Sequence, residues 1–241
     1  MALPGRAGAF TVLQTAEGIP LQWHDTPIEY VMGTMSGDLP EEAQIEAVEH
    51  AFYVWESVPG VSYSFEFVGF TDTDTDLDDG VNAIYFLSDE ADWSHSDSAV
   101  AITRSWAFNT GEIHGFDLML NDSRFTFTST DVEEDISTDL KNTLTHEVGH
   151  ILGLDHSHDP EACMYATAVR GETSKRDLSE DDIEAVQWLY PAEWFGTQPP
   201  LGVMGCDTAG DPASSRAFGL SLLGAIAALG AGRRRRGVRA G

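Results

Sequence analysis

The stretch His146-Glu147-Val148-Gly149-His150-Ile151-Leu152-Gly153-Leu154-Asp155-His156 decides how this chain is read. On a helix, residues four apart lie one above the other, so His146 and His150 converge on one point with Glu147 beside them. A third ligand from the next turn of the same helix would crowd the first two. Gly153 is the residue able to take the left-handed conformation that ends a helix and turns the chain back, and that turn delivers His156. Three imidazoles leave the fourth tetrahedral position of a zinc ion to water, the pattern of a catalytic rather than a structural site. Glu147 is then the natural base for that water. A chance match to this pattern in a chain of such composition has a probability of roughly one in ten thousand.

Outward from this run, Ser137 or Thr138 is expected to cap a helix that ends near Leu152, with Leu140, Leu144, Val148 and Leu152 recurring every four positions as one apolar stripe. At about 100° per residue, His146 lies about 200° from Leu144, and His150 the same from Val148. The histidine face therefore points away from the core face, and the helix is expected to floor a cleft whose far side is built by residues after His156.

The run H-E-x-x-H-x-x-G-x-x-H, continued by Ser157, resembles the zinc signature of metzincin metallopeptidases, and in its matrixin branch (peptidase M10 type) above all. The resemblance implies an α+β fold: a twisted, mixed, five-stranded sheet with an active-site helix, a second covering helix and a C-terminal helix, the zinc cleft lying between two subdomains. It implies that Cys163-Met164-Tyr165 is the Met-turn, with Met164 beneath the zinc-bound imidazoles; the family's usual proline after Met-Tyr is Ala166 here. Some metzincins add a tyrosine ligand at this same position, so Ala166 leaves His146, His150 and His156 as the metal ligands, Glu147 as the catalytic residue, and Gly153 and Met164 as structural support. The segment from Leu178 to Tyr190, Leu-Ser-Glu-Asp-Asp-Ile ending in Leu-Tyr, is also matrixin-like. Matrixins bind a second, structural zinc through a His-x-Asp pair and two further histidines; His95, Asp97 and His114 match three of these, and residues 101–108 supply no fourth, so one catalytic zinc is expected. By the same resemblance, the strand near Ala99 to Thr103 is the sheet edge along which an extended substrate pairs.

Composition sets the outer bounds. The chain has 241 residues, 42% of them hydrophobic, enough for one core with appendages. Its formal net charge is -27, and five of the 13 basic residues fall after Gly232, so the rest of the chain is more acidic still. That balance argues against nucleic acid or an anionic membrane as partner and suits a soluble monomer with a solvated acidic surface, adapted in one reading to salt or calcium. Cys163 and Cys206 are too few for a disulfide framework. Met1 to Gly5 is too short and uncharged to start a secretory signal, yet Ala7-Gly8-Ala9 before Phe10 fits a small-residue cleavage site. Residues 1–9 read either as the remnant of a signal peptide or as a cytosolic start.

Upstream of the motif, Pro20 to Gly33 alternates around Ile28, Tyr30 and Met32 as a first strand, and Asp38 is expected to cap a helix with an apolar stripe at Ile45, Val48, Phe52 and Trp55. Val61 to Val68 alternates as a second strand, Asn82 to Leu87 is a third, and Ala99–Phe108 with Gly111–Asn121 form a hairpin-like pair. Between them, Asp72, Asp74, Asp76, Asp78 and Asp79 make a loop that either holds Ca2+ or is simply solvated; it lacks the glycine and the bidentate glutamate of an EF-hand. Downstream, Ser179 with Asp182 looks like a capping box opening the last helix, Glu180 to Tyr190, with Ile183, Val186 and Leu189 inward.

The catalytic domain is thus expected over residues 10–195, followed by a flexible linker at 196–215. In the final segment, 216–241, a run of 16 uncharged residues precedes Arg233 to Arg236 and is slightly short for a full membrane span. With Gly205-Cys206 ahead of it, the tail resembles the three-part C-terminal sorting signals of Gram-negative bacteria, the myxobacterial type in particular. A plain membrane anchor and a buried helix are its alternatives. The resemblance implies a secreted or surface-sorted zinc endopeptidase acting on protein or peptide substrates, exported from a Gram-negative bacterium, its tail membrane-associated before processing. Two other functions use the same residues: a catalytically silent zinc-binding surface or adhesion protein, and a zinc amidase of small substrates.

Overall fold

The first regular segments follow the two-residue period of their side chains. The structure, a computed structural model, describes residues 9–72, 76–130 and 137–192, and the backbone of 220–229. After the short strands β1 (Thr11–Val12) and β2 (Gln22–Trp23), β3 (Ile28–Met32) buries Ile28, Tyr30 and Met32 and turns Glu29 to solvent. Helix α1 (Glu41–Glu56) buries Val48, Phe52 and Trp55 as its stripe predicts. Phe52 stacks on Tyr30 with ring centroids 4.2 Å apart, fixing the helix to the sheet. Its cap differs from expectation: Pro40 holds the N-cap position, and Asp38 Oδ2 instead accepts the Phe127 amide at 3.2 Å.

Strand β4 (Phe65–Phe70) begins four residues later than alternation suggests, because Val61 makes only an isolated bridge to Pro191. Strands β5 (Ala83–Leu87), β6 (Ala99–Ala107) and β7 (Glu112–Asn121) are almost wholly buried. Two short pieces, β8 (Phe127–Thr128) and β9 (Thr138–Asp139), pair with each other just ahead of helix α2 (Leu140–Ile151). Beyond α2 come β10 (Leu154–Asp155), β11 (Thr167–Val169), a 3-10 turn at Ser174–Arg176, helix α3 (Glu180–Leu189) and β12 (Leu220–Leu229).

The strands expected to make up the whole sheet form only one run of it, β6-β7-β5-β3-β4, parallel except for the antiparallel β6–β7 pair. The sheet nonetheless has eight members, since β2 joins β7 and the series β11-β12 extends it beyond β6. The expectation that Ala99–Thr103 is a bare edge is therefore corrected. β12 runs antiparallel along β6 from Leu220 opposite Ala107 to Ala227 opposite Ala99, and β11 lies parallel to β12. Its sequence, LSLLGAIAAL, shows no period-two alternation, which is why it reads as helical or membrane-associated until its partner strand is known. No helix among the described residues is long and apolar enough to cross a membrane. Residues 1–8, Asp74, the 196–215 linker with Cys206, and Arg233 to Arg236 lie outside the described residues.

Helix α2 packs against α1 and across β6. Trp55 Nε1 donates to the Thr145 carbonyl at 2.8 Å, tying the two helices together. The cap of α2 is Asp139, neither Ser137 nor Thr138: its Oδ1 accepts from the Asn142 amide at 2.8 Å. Arg176 grips the same buried carboxylate at 2.9 Å and 2.5 Å. At the other end, Trp23 Nε1 donates to the Ile151 carbonyl and Tyr190 Oη to the Leu152 carbonyl, each at 2.8 Å, satisfying acceptors that a helix terminus leaves open. Helix α3 opens with the predicted Ser179–Asp182 capping box, and Val186 and Leu189 are buried, whereas Ile183 is only partly covered. The amides of Ala9 and Phe10 reach Asp181 Oδ1 at 2.6 Å and 3.1 Å, tying the first described residues to this helix.

Candidate metal centre

The helix cap, the helix itself and the turn after it place the three histidines. His146 and His150 lie one turn apart on α2 and are fully buried. The helix stops at Leu152, and Gly153 follows with φ of 89°, the left-handed conformation its place in the sequence predicts. A side chain there would overlap the Leu21 carbonyl. The chain then enters β10, which pairs with β1, and arrives at His156, whose carbonyl accepts the Thr11 hydroxyl at 2.5 Å. The ring centroids of His146 and His150 are 4.8 Å apart, those of His150 and His156 4.9 Å, and those of His146 and His156 5.3 Å. One nitrogen from each ring falls within 4.8 Å of the other two.

The hydrogen bonds fix the tautomers. Nδ1 of His146 lies 2.7 Å from the Cys163 carbonyl and Nδ1 of His150 lies 2.8 Å from the Leu154 carbonyl. A carbonyl can only accept, so each Nδ1 carries the proton and each Nε2 carries a lone pair. Those two Nε2 atoms are buried without a hydrogen-bond partner. Burial, reinforced by the neighbouring His150, pushes the His146 pKa well below the usual imidazole range; burial and then His156 push that of His150 to about 4. The rings are neutral at neutral pH, and buried lone pairs that no protein donor satisfies are what a soft divalent cation would fill. The residues present therefore fit a zinc ion.

Glu147 is also fully buried, and its Oε2 accepts the Thr103 hydroxyl from β6 at 2.8 Å. Met164 is buried below α2: a Cβ on Gly149 would overlap its Sδ and come within 2.9 Å of Trp55. The turn carrying Met164 hangs from α3, since Asp182 accepts the Cys163 amide at 2.7 Å and the Met164 amide at 3.0 Å. Cys163 is a free, buried thiol whose pKa burial pushes far up. Lys175, almost wholly buried, donates its Nζ to the Tyr165 carbonyl and to the Thr167 carbonyl at 2.9 Å, pinning the chain on either side of Ala166 just after Met164.

Every residue from Asn142 to Ile151 is buried, with β6 on one side of α2 and the return from Leu154 to Lys175 on the other. Thr103, Lys175 and Asp182 all shape the site from outside the motif. Of these only Asp182 carried a signal in the sequence, as part of a capping box. The Thr103 hydroxyl meets a residue 44 positions away and the Lys175 ammonium meets carbonyls 10 and 8 positions away, and neither spacing follows a local period.

Elsewhere, the residues matching a structural-zinc set make separate contacts and form no metal-holding group among the described residues. Asp97 meets Arg124 at 3.2 Å, His114 meets Asp78 at 3.2 Å, and His95 packs on Trp93 at 5.3 Å. In the acidic loop Asp76 is held by Arg104 at 2.6 Å, and Asp79 accepts the Val81 amide at 2.9 Å. Among the described residues, the three histidines form the group able to hold a metal ion.

Residues 22–191 match the family model for matrixin, peptidase M10. The chain is 30% identical to human neutrophil collagenase over 178 residues, covering 74% of this chain and 35% of the collagenase. It is 29% identical to stromelysin-1 of Mus musculus over 178 residues, 73% of this chain and 34% of that protein. A shorter stretch of 66 residues is 44% identical to metalloendoproteinase 2-MMP of Arabidopsis thaliana, 27% of this chain and 17% of that one. The chain thus spans about a third, or less, of the length of these curated relatives.

Proposed function

Because the chain belongs to the matrixin family, we propose that it is a zinc-dependent endopeptidase acting on extended protein or peptide substrates. The observation that carries this reading is the convergence of the imidazole nitrogens of His146, His150 and His156, at most 4.8 Å from one another, beside the buried carboxylate of Glu147. The three histidines would hold the ion through Nε2, their Nδ1 protons being held by main-chain carbonyls at His146 and His150. Zinc, when bound, supplies Lewis acidity toward the scissile carbonyl and lowers the pKa of a water molecule. Glu147 accepts the proton of that water and returns it to the departing amine. Gly153 and Met164 keep the ligands in place, one by the turn it permits and the other by packing under α2.

Recognition of an extended backbone is supported by β12, which already pairs antiparallel with β6. The apolar segment before Arg233 to Arg236, with Gly205-Cys206 ahead of it, supports a surface-sorted or secreted enzyme of a Gram-negative bacterium, monomeric because of its charge of -27.

The test is cleavage of casein by the zinc-loaded protein with and without chelator, beside Glu147→Ala, with zinc content measured in both. Loss of activity with retained zinc in the variant is expected. Equal activity in the two proteins removes Glu147 from its role; hydrolysis of small amides alone points to an amidase, and zinc binding without any hydrolysis to an adhesion or scaffold protein.

A further inference from the structure

We propose that Thr103 is the positioning residue for Glu147, its hydroxyl fixing which carboxylate oxygen handles the proton. The assignment rests on the peptidase reading and deepens it. Thr103 is buried in the middle of β6, opposite Leu118 of β7 on one side and Gly224 of β12 on the other. A β-branched residue in a paired central strand has little freedom at χ1, so its hydroxyl is a fixed point. Glu147 has three side-chain torsions, and it projects from a helix packed across that strand.

The hydroxyl has one proton to give, and both acceptors within reach belong to residue 147: Oε2 at 2.8 Å and the main-chain carbonyl at 3.3 Å. The shorter contact, to a group that is anionic when acting as base, is the stronger. With Oε2 engaged, the water's proton passes to Oε1 and from Oε1 to the amine nitrogen as the C–N bond breaks, leaving the carboxylate as it began. Thr103 itself gains and loses nothing; it touches neither substrate nor metal ligand in this scheme and acts through the orientation of Glu147.

The experiment compares Thr103→Val, which keeps the shape and removes the hydroxyl, with Thr103→Ser, which keeps the hydroxyl, both in the full zinc-loaded chain. Thr103→Val is expected to lower kcat about 10- to 100-fold, the range typical of a hydrogen-bond partner that orients a residue of the reacting centre, with KM changed less than about twofold. Its zinc content should match the parent protein's. Thr103→Ser should recover most of kcat, and adding Thr103→Val to Glu147→Ala should cost nothing further. The assignment is overturned if Val and Ser are equally impaired, if Val changes KM rather than kcat, or if its effect persists without the Glu147 carboxylate. A parent chain that binds zinc and cleaves nothing overturns the peptidase reading, and this assignment with it; an active parent indifferent to Thr103→Val overturns this assignment alone.

Discussion

Two glycines near the metal centre look alike in the sequence and differ in what they tolerate. Gly153 combines a φ of 89° with a main-chain carbonyl in the path of any Cβ. Gly149 lies inside α2 with ordinary backbone, and what a Cβ meets there is chiefly the flexible thioether of Met164. We expect Gly153→Ala to cost at least about 2 kcal/mol, from left-handed strain plus backbone displacement, and to move His156 enough to lower zinc occupancy. Gly149→Ala should cost about 1–3 kcal/mol of overpacking while retaining zinc. Urea unfolding with zinc analysis on both variants checks the contrast, and equal zinc loss in the two would refute it. At this scale the convergence of His146, His150 and His156 was legible because they share one local period and one turn. Thr103 and Lys175 were not, because nothing near them in the chain records what they touch.

At the scale of elements, β3, β5, β6, β7 and all three helices could be read from the sequence, and so could the start of α3 from its capping box, whereas the starts of α1 and α2 could not. The start of α2 is set by Asp139, whose side chain is fully buried and is reached across the fold by the partly exposed Arg176. Removing the guanidinium leaves a buried carboxylate uncompensated, so Arg176→Ala should destabilise by about 3 kcal/mol, more than an exposed ion pair would. A melting temperature within a degree of the parent's would contradict this. Strand β7 carries a second test. Burial pushes the Asp117 pKa from 3.8 up to about 8, against the pull of the Leu77 and Ala83 amides, and Asp76 and Asp79 add to the rise. Between those values the folded chain holds a proton that the unfolded chain has released. The contribution to stability is therefore complete at low pH and is lost as pH climbs toward 8. Melting temperatures from pH 5 to 8 should fall more steeply for the parent protein than for Asp117→Asn; parallel curves would show that Asp117 does not titrate in this window.

For the whole molecule, the family's sheet was anticipated and its width was not. The five anticipated strands form a continuous run, and what the sequence hid was that an apolar tail lacking alternation lies beside β6. Register supplies the reason: pairing is a property of two segments, and the partner of β12 lies more than a hundred residues earlier.

A strand offers its outward row of amides and carbonyls to one neighbour at a time. A segment of the same polypeptide presents itself to β6 at an effective concentration on the order of millimolar, against which a dissolved substrate at lower concentration competes poorly. At substrate levels well below saturation, cleavage by the intact chain should then be held back by how seldom this row is vacated. Replacing Leu223 and Gly224 together by proline deletes at least one amide directed at β6, because adjacent residues face opposite ways. That double variant should show a lower apparent KM than the parent with kcat little changed, and an unaltered KM would mean that the two chains never contend for the same hydrogen bonds.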